Sequence, residues 1–301
     1  MEYCTPRTLE EACAALSAAP GAVRVLAGGT DLLARFNTGA PRPQRIVDIK
    51  TLAETRSIQH RPDGSFVIGA ACPGVQITAH PALASHWPGV VEAMDTIGSV
   101  QIQGRASFGG NLCNASPAAD SVPALIAARA RCLIISSEGE RELPVEDIIV
   151  SPGRTCLRQD EFIVNLILPP RPDCSADAYL RMTPRSEMDI AIAGAAVNLV
   201  LDEEQVVSEC HVALGAVGPI PVYAQAAARI LLGSRLEDDV MQRFRRQVSV
   251  SCRPISDKRG TAEYRSDVAA VLAARAALLA RTRALLRAGH DASDVRESGH
   301  P

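Results

Sequence analysis

A chain of 301 residues, 47% hydrophobic and 22% charged, is long enough for two domains with substantial cores and has an ordinary globular composition. With a net charge of −3 and only 3% aromatics, it offers neither the positive field nor the stacking platforms of a nucleic-acid binder, so nucleic acid is not an expected partner. The first residues lack a basic stretch followed by an apolar run, and no segment approaches the length of a membrane span, which reads as a cytoplasmic protein.

Thr8-Leu9-Glu10-Glu11 has capping-box form and opens an alanine-rich helix that Pro20-Gly21 ends. Residues 22–27 read as a short buried strand running into Gly28-Gly29, and 31–36 as a helix start, so the glycines fall where strand gives way to helix. Pro41-Arg42-Pro43 breaks the chain before a strand at 45–49, and another follows at 65–70. Between Pro81 and Ile97 the apolar spacing predicts helix, interrupted near Pro88. A second glycine pair, Gly109-Gly110, lies in the run from Ala106 to Asp120, and residues 121–130 read as a helix emerging from it.

Residues 132–135 and 161–168 are strand-like, and Pro169-Pro170-Arg171-Pro172 forms a stiff break at which the main domain boundary is placed. Beyond it, strands near 178–183, 190–201 and 206–217 precede helices near 222–232, 236–250 and 264–287. Strands followed by helices, rather than alternating with them, predict an α+β fold. The polar residues from about 288 to 301 are expected to be a disordered tail, and the sequence contains no internal repeat.

Nine cysteines are scattered without a Cys-x-x-Cys or comparably tight cluster, which argues against a disulfide framework, a zinc site or an iron–sulfur cluster made by this chain. Most are expected to be buried thiols. The six histidines show no metal-ligand spacing, and no Ser–His–Asp or Cys–His arrangement stands out. No catalytic residue and no metal site is assigned.

The two glycine pairs carry the chemistry. With 21 glycines in the chain, about one or two adjacent pairs arise by chance, so the flanking letters decide. A pyrophosphate needs backbone N–H donors with no Cβ in the way, and a loop entering a helix supplies donors and a favourable dipole. Gly28, Gly29 and Thr30 fit that role, although a plain strand-to-helix turn accounts for the same glycines. No Gly-x-Gly-x-x-Gly follows the strand, so a Rossmann site is not indicated. Asp31 would repel a phosphate and is read as a helix cap or a hydroxyl ligand.

In the second loop Ser107, Asn111, Asn114, Ser116 and Asp120 suit the hydroxyl-bearing parts of a cofactor, with Gly109 and Gly110 permitting close approach; a loop of Asx and Ser turns is the plainer reading of any one of them. Arg181 and Arg185 would place positive charge beside a redox ring or pair with Asp189, against the ordinary fate of a solvated surface arginine.

Three segments together resemble a known family: Ala27 to Leu32, Thr96 to Ile102 running into Ser107 to Asp120, and Arg185 to Ala191. The resemblance, over about residues 1–285, is to the FAD-binding medium subunit of the molybdenum hydroxylases, the xanthine dehydrogenase and carbon monoxide dehydrogenase type. It implies a FAD-binding domain of the vanillyl-alcohol-oxidase type over residues 1–172, with subdomains of about 1–55 and 56–172, and a smaller C-terminal α+β domain over 173–287.

FAD would sit with Val25, Leu26, Ala27, Gly28, Gly29, Thr30, Asp31 and Leu32 around its diphosphate. Ser107, Phe108, Gly109, Gly110, Asn111, Ser116 and Asp120 would meet its polar parts, and Ile97 and Ile163 would pack near the flavin. Arg181 stands where the family usually carries a lysine, which keeps the charge and replaces a point ammonium with a planar fork. Gln103-Gly104-Arg105 departs from a more usual Arg-Asn pair, and no cysteine-rich iron–sulfur insertion is present.

The same resemblance implies noncovalent FAD and a dimer of heterotrimers. In it a large molybdenum-cofactor subunit hydroxylates the substrate, a small subunit passes electrons through two [2Fe-2S] clusters, and FAD delivers them to an external acceptor. NAD, oxygen, a quinone and a carrier protein all remain open as that acceptor. Two other readings stand beside this one: a self-contained FAD oxidase or diaphorase of the vanillyl-alcohol-oxidase class, and a scaffold subunit whose loops bind nothing. The substrate of the complex is not legible in this chain.

Overall fold

The computed structural model describes residues 1–18, 23–185 and 188–290. The expected helix stop at Pro20-Gly21, Ser186 and Glu187 of the third family-like segment, and the tail from 291 lie outside the described residues.

The first unit is a small parallel sheet. Strand β1 (Glu2–Cys4) leads to helix α1 (Leu9–Ser17), then β2 (Val23–Leu26), helix α2 (Leu32–Asn37) and β3 (Arg45–Asp48). The strand order is β1-β3-β2, with both pairings parallel. Thr8 caps α1 by accepting from Glu11 N–H at 3.2 Å. The return half of the box differs from the pattern: Glu11 accepts from the N–H of Arg7 at 2.7 Å, one residue before the cap. Ala12, Cys13 and Leu16 on α1 pack with Val23, Val47 and Ile49 into a core of their own.

The second unit surrounds an antiparallel sheet. Strands β4 (Ile58–His60) and β5 (Phe66–Gly69) are followed by the short helices α3 (Gly74–Thr78), α4 (Pro81–His86), α5 (Pro88–Asp95), α6 (Val100–Gln103), α7 (Phe108–Cys113) and α8 (Ser121–Ala127). The chain then adds β6 (Arg131–Ser136), β7 (Gly139–Pro144), the small hairpin β8 (Ile149–Ser151) and β9 (Arg154–Thr155), and β10 (Phe162–Leu168). Five of these strands form one sheet in the order β4-β5-β10-β6-β7. The predicted break at Pro88 separates α4 from α5: proline suits the first turn of a helix, where its missing N–H has no partner to lose. Phe162 and Val164 of β10 share the core of the first unit, whereas Ile163 and Leu166 face the core of the second. One strand therefore faces two cores, with a register shift between Ile163 and Asn165.

The third unit comprises β11 (Ser175–Met182), β12 (Ala193–Leu201), β13 (Val207–Gly215) and β14 (Val222–Tyr223) in sequential antiparallel order, then helices α9 (Gln225–Leu231), α10 (Asp238–Ser251) and α11 (Ala262–Arg287). Alternate residues Ala193, Ala195, Val197 and Leu199 of β12 pack toward α9–α11, while Ala196 faces the second unit, along with Tyr179 of β11 and Ala213 of β13. A sheet covered on both faces reads as a nearly continuous apolar run, as Ala193 to Val200 does. The helix expected from 222 starts later because Val222 and Tyr223 pair with Leu214 and Ala213.

A buried charge cluster joins the second and third units. Arg171, in the proline-rich connection, donates to Asp177 at 2.8 Å and to Asn198 at 2.6 Å, and lies 3.8 Å from the Trp87 ring centre. Asp177 in turn accepts from Val90 N–H of α5 at 3.0 Å. The two charged side chains are 1% and 5% exposed, so their pairing is not screened by solvent. A Cβ on Gly89 would meet the Asp177 carboxylate at 2.6 Å, which fixes glycine at this close approach. Arg283 of α11 continues the cluster, donating to the Asp177 carbonyl at 2.9 Å and pairing with Glu92 of α5.

Removing one partner from such a pair leaves the other charge buried and uncompensated. Arg171→Ala is expected to lower the unfolding free energy by about 3–5 kcal/mol in urea denaturation, whereas Arg131→Ala, at an exposed pair, should change it little. Equal effects from the two variants would contradict this account.

Candidate functional site

A cavity of about 380 Å³ opens between the first and second units. Its walls are the glycine-bearing loop from Val25 to Leu32, between β2 and α2, and the stretch Ser107 to Asn111, expected as a second loop but formed as the Ser107 cap and first turn of α7, with Ile97 and Ile163 completing an apolar side. The loops come together because Gly28 lacks a side chain: a Cβ there would meet the Arg105 carbonyl oxygen at 1.8 Å. Gly109 has the same role in the layer below, where a Cβ would meet the Ala70 backbone at 2.6 Å. A hydrogen bond from Arg35 of α2 to the Asn114 carboxamide oxygen ties the loops across the opening. Two of the glycines thus serve close packing of the chain, and the cavity is the space left beside that contact.

The two loops differ in what they leave free. In the second, Gly109 N–H donates to the Ala70 carbonyl at 3.1 Å and Gly110 N–H to the Ser107 hydroxyl at 3.2 Å, so both donors are spent. In the first, the N–H groups of Gly28, Gly29, Thr30, Asp31 and Leu32 donate to no acceptor among the described residues. Five successive free donors lining one cavity, with Gly29 at φ +80°, form a cradle suited to an anionic group. Helix α2 is only six residues long, so these loop donors, rather than a long helix's dipole, dominate the local field.

Asp31 sits at the N-cap position of α2, but its side chain makes no capping bond, contrary to the expected cap. Surrounding protein raises its carboxyl above the usual range, and the nearby Arg35 guanidinium opposes the rise. Asn111 accepts from Ser121 N–H at 3.3 Å and from the Ser121 hydroxyl at 2.7 Å, which fixes its carboxamide oxygen and leaves its N–H₂ donors for the cavity. Glu161, also on the wall, is held by both arms of the Arg141 fork at 2.8 Å and by Arg158 N–H at 2.7 Å. Burial opposes its ionisation, but these donors keep the carboxyl below its usual range.

Four expected site residues lie off the cavity wall. The Phe108 side chain is fully buried in the core of the second unit. Ser116 accepts from Ala118 N–H at 3.2 Å in a tight turn after Ala115, whose φ is +50°. Asp120 and Arg181 pair with each other at 2.9 Å, and Tyr179 donates to the same carboxylate at 3.1 Å. Arg185, not Arg181, is the partner of Asp189, at 3.2 Å. The carboxylate that takes up the Arg181 charge is distant in sequence, so spacing along the chain did not reveal it.

Sequence reasoning missed Arg24 and Arg35, which line the cavity, and Cys113, which is exposed there while five of the other cysteines are buried. Arg35 lies three residues past the family-like stretch Ala27 to Leu32, and only its helical position carries it back over the loop. Among the described residues no group of three or more His, Cys, Asp or Glu is placed to hold a metal ion, and no helix is long and apolar enough to cross a membrane.

Burial pushes the Asp120 carboxyl up to about 6, and Arg181 and Tyr179 limit the rise. A folded value above the ordinary 3.8 means that Asp120 stabilises the fold below that pH and loses the contribution as pH rises through about 6. Relative to Asp120→Asn, whose amide stands in for the protonated acid, the wild-type stability should fall by on the order of 2 kcal/mol between about pH 4 and pH 7. A difference between the two proteins that does not vary with pH would contradict the assignment.

Comparison with known proteins fits this geometry. The family model described as the FAD binding domain in molybdopterin dehydrogenase matches residues 1–171, and the CO dehydrogenase flavoprotein C-terminal domain matches 178–280. A putative xanthine dehydrogenase FAD-binding subunit of Escherichia coli K12 is 33% identical over 264 residues, covering 87% of this chain and 90% of the relative. The carbon monoxide dehydrogenase medium chain of Hydrogenophaga pseudoflava is 28% identical over 276 residues, covering 91% and 95%. A solved structure of carbon monoxide dehydrogenase from that organism superposes with a TM-score of 0.89 at 28% identity, over 94% of this chain and 98% of the other. The cavity between two glycine-bearing loops therefore sits in a member of a known flavoprotein family: the chain belongs to the FAD-binding subunits of the molybdenum hydroxylases, the xanthine and carbon monoxide dehydrogenase type.

Proposed function

We propose that this chain binds FAD in the cavity between its two loops and serves as the electron-delivering subunit of a molybdenum hydroxylase. The observation that carries the reading is the row of five N–H donors from Gly28 to Leu32, unpaired among the described residues, which matches the needs of a diphosphate. Ser107, Gly109, Gly110 and Asn111 would form the opposite wall, with the Asn111 N–H₂ as donor to the cofactor's oxygens. Ile97 and Ile163 supply the apolar surface that a ring system requires. Residues 1–172 are read as the cofactor-binding domain and 173–287 as a domain that buttresses it through the Arg171 cluster. When bound, FAD supplies a group that accepts electrons singly from one-electron centres and releases them in pairs.

The chain's own contribution is to bind, orient and exclude. Among the described wall residues Thr30, Asp31 and the exposed Cys113 have no side-chain hydrogen-bond partner, Glu161 is tied to Arg141, and no histidine lines the cavity to act as a base. Such a wall favours electron transfer over substrate chemistry and weighs against a self-contained oxidase. Medium chains of this kind are named as parts of multi-subunit enzymes, so the partners read here are a large molybdopterin-binding subunit and a small subunit with two [2Fe-2S] clusters. The assembly read for them is a dimer of heterotrimers, passing electrons to an external acceptor and located in the cytoplasm.

Purified gently, the chain should be yellow, release FAD on denaturation, and associate with the two partner subunits; a colourless chain that takes up no FAD would sink the reading. Gly28→Ala should part the loops and abolish FAD retention, because its Cβ would collide with the Arg105 carbonyl. Gly110→Ala should keep the fold, since its Cβ would meet only the Ser107 hydroxyl at 3.2 Å and Ala27 at 3.9 Å. Fluorescence titration with FAD and thermal unfolding of both variants would separate the two effects.

A further inference from the structure

We propose that Arg35, which lies outside the glycine-bearing loop, is the cation that neutralises the cofactor's diphosphate and latches it between the loops. The inference rests on the reading of the cavity as a FAD site and deepens it. Backbone donors carry only partial charge, while a diphosphate brings about two full negative charges into a cavity whose first loop already holds Asp31. Glu161, the other acid on the wall, is neutralised by Arg141. The uncompensated carboxylate is therefore Asp31, and a diphosphate beside it needs a cation that the loop does not supply.

Arg35 is placed to be that cation. It lies one helical turn after Asp31 on α2, close enough for its guanidinium to favour the ionised carboxylate, and it lines the cavity. Its Nη2 is bonded to the Asn114 carboxamide oxygen across the opening, which orients the planar fork and leaves further N–H donors. Arg24, the other arginine on the wall, is turned back to the Val23 carbonyl at 2.9 Å and sits on the strand rather than over the donors. The arrangement eases the repulsion expected between Asp31 and a phosphate: the Arg35 charge, close enough to favour the Asp31 carboxylate and held by Asn114, lies on the same cavity wall.

The test uses the full chain freed of FAD, titrated with FAD and with ADP, which carries a diphosphate without the flavin. Arg35→Gln is expected to weaken both by about tenfold or more and to flatten the loss of affinity with added KCl, while Arg35→Lys retains some of the affinity. Losing the exposed Asn114 bond should lower the thermal midpoint of the cofactor-free chain only slightly in Arg35→Gln, whereas the rise in midpoint on adding ADP should be largely lost; a merely structural clasp would lower the midpoint and leave the ADP-induced rise intact. Wild-type FAD binding with an unaffected Arg35→Gln overturns this inference alone. A wild-type chain that binds neither FAD nor ADP overturns the FAD reading and the inference with it.

Discussion

The architecture of the site depends on the approach of Gly28 to the Arg105 carbonyl. Nothing larger than hydrogen fits between them, so the two loops meet at a fixed spacing, and the cavity is defined beside that contact. Each loop is held from behind. The first ends a strand of a parallel sheet, and the second is bonded through Gly109 to Ala70 and through Ala106 to Gly74. A ligand arriving there meets donors already in position, which lowers the ordering cost of binding.

The two loops have similar compositions and different physics. In the second loop the serine and glycine groups bond to one another and to Ala70, so its polar letters build the loop itself. In the first, the N–H groups from Gly28 to Leu32 have no acceptor among the described residues. This difference is invisible in the sequence, because both stretches pair Gly-Gly with small polar residues. It depends on whether a carbonyl such as that of Ala70 arrives from another region of the chain.

Much of the fold was nonetheless legible. The Thr8 cap, the helix break at Pro88 and the strand-then-helix order of the last third follow from local chemistry that tertiary packing did not override. Helix α7, read as a loop because of its glycine pair, is capped locally by Ser107, but other missed elements are stabilised from a distance. Strand β1 is only three residues long and exists through pairing with β3, and β7 (sequence Gly-Glu-Arg-Glu-Leu-Pro) is too polar to announce a strand. Most residues expected around the cofactor do line the cavity. The four that do not were expected there from composition or family resemblance, and their actual partners, among them Asp120 for Arg181 and the core for Phe108, lie far along the chain.

Asn111 on the cavity wall is fixed by Ser121, and the adjacent Asp120 is fixed by Tyr179 and Arg181 of β11. A single peptide link therefore ties this wall of the cavity to the sheet of the third unit. Clamping α8 at its first residue thus lets the sheet of the third unit brace a cavity wall to which it contributes no lining residue.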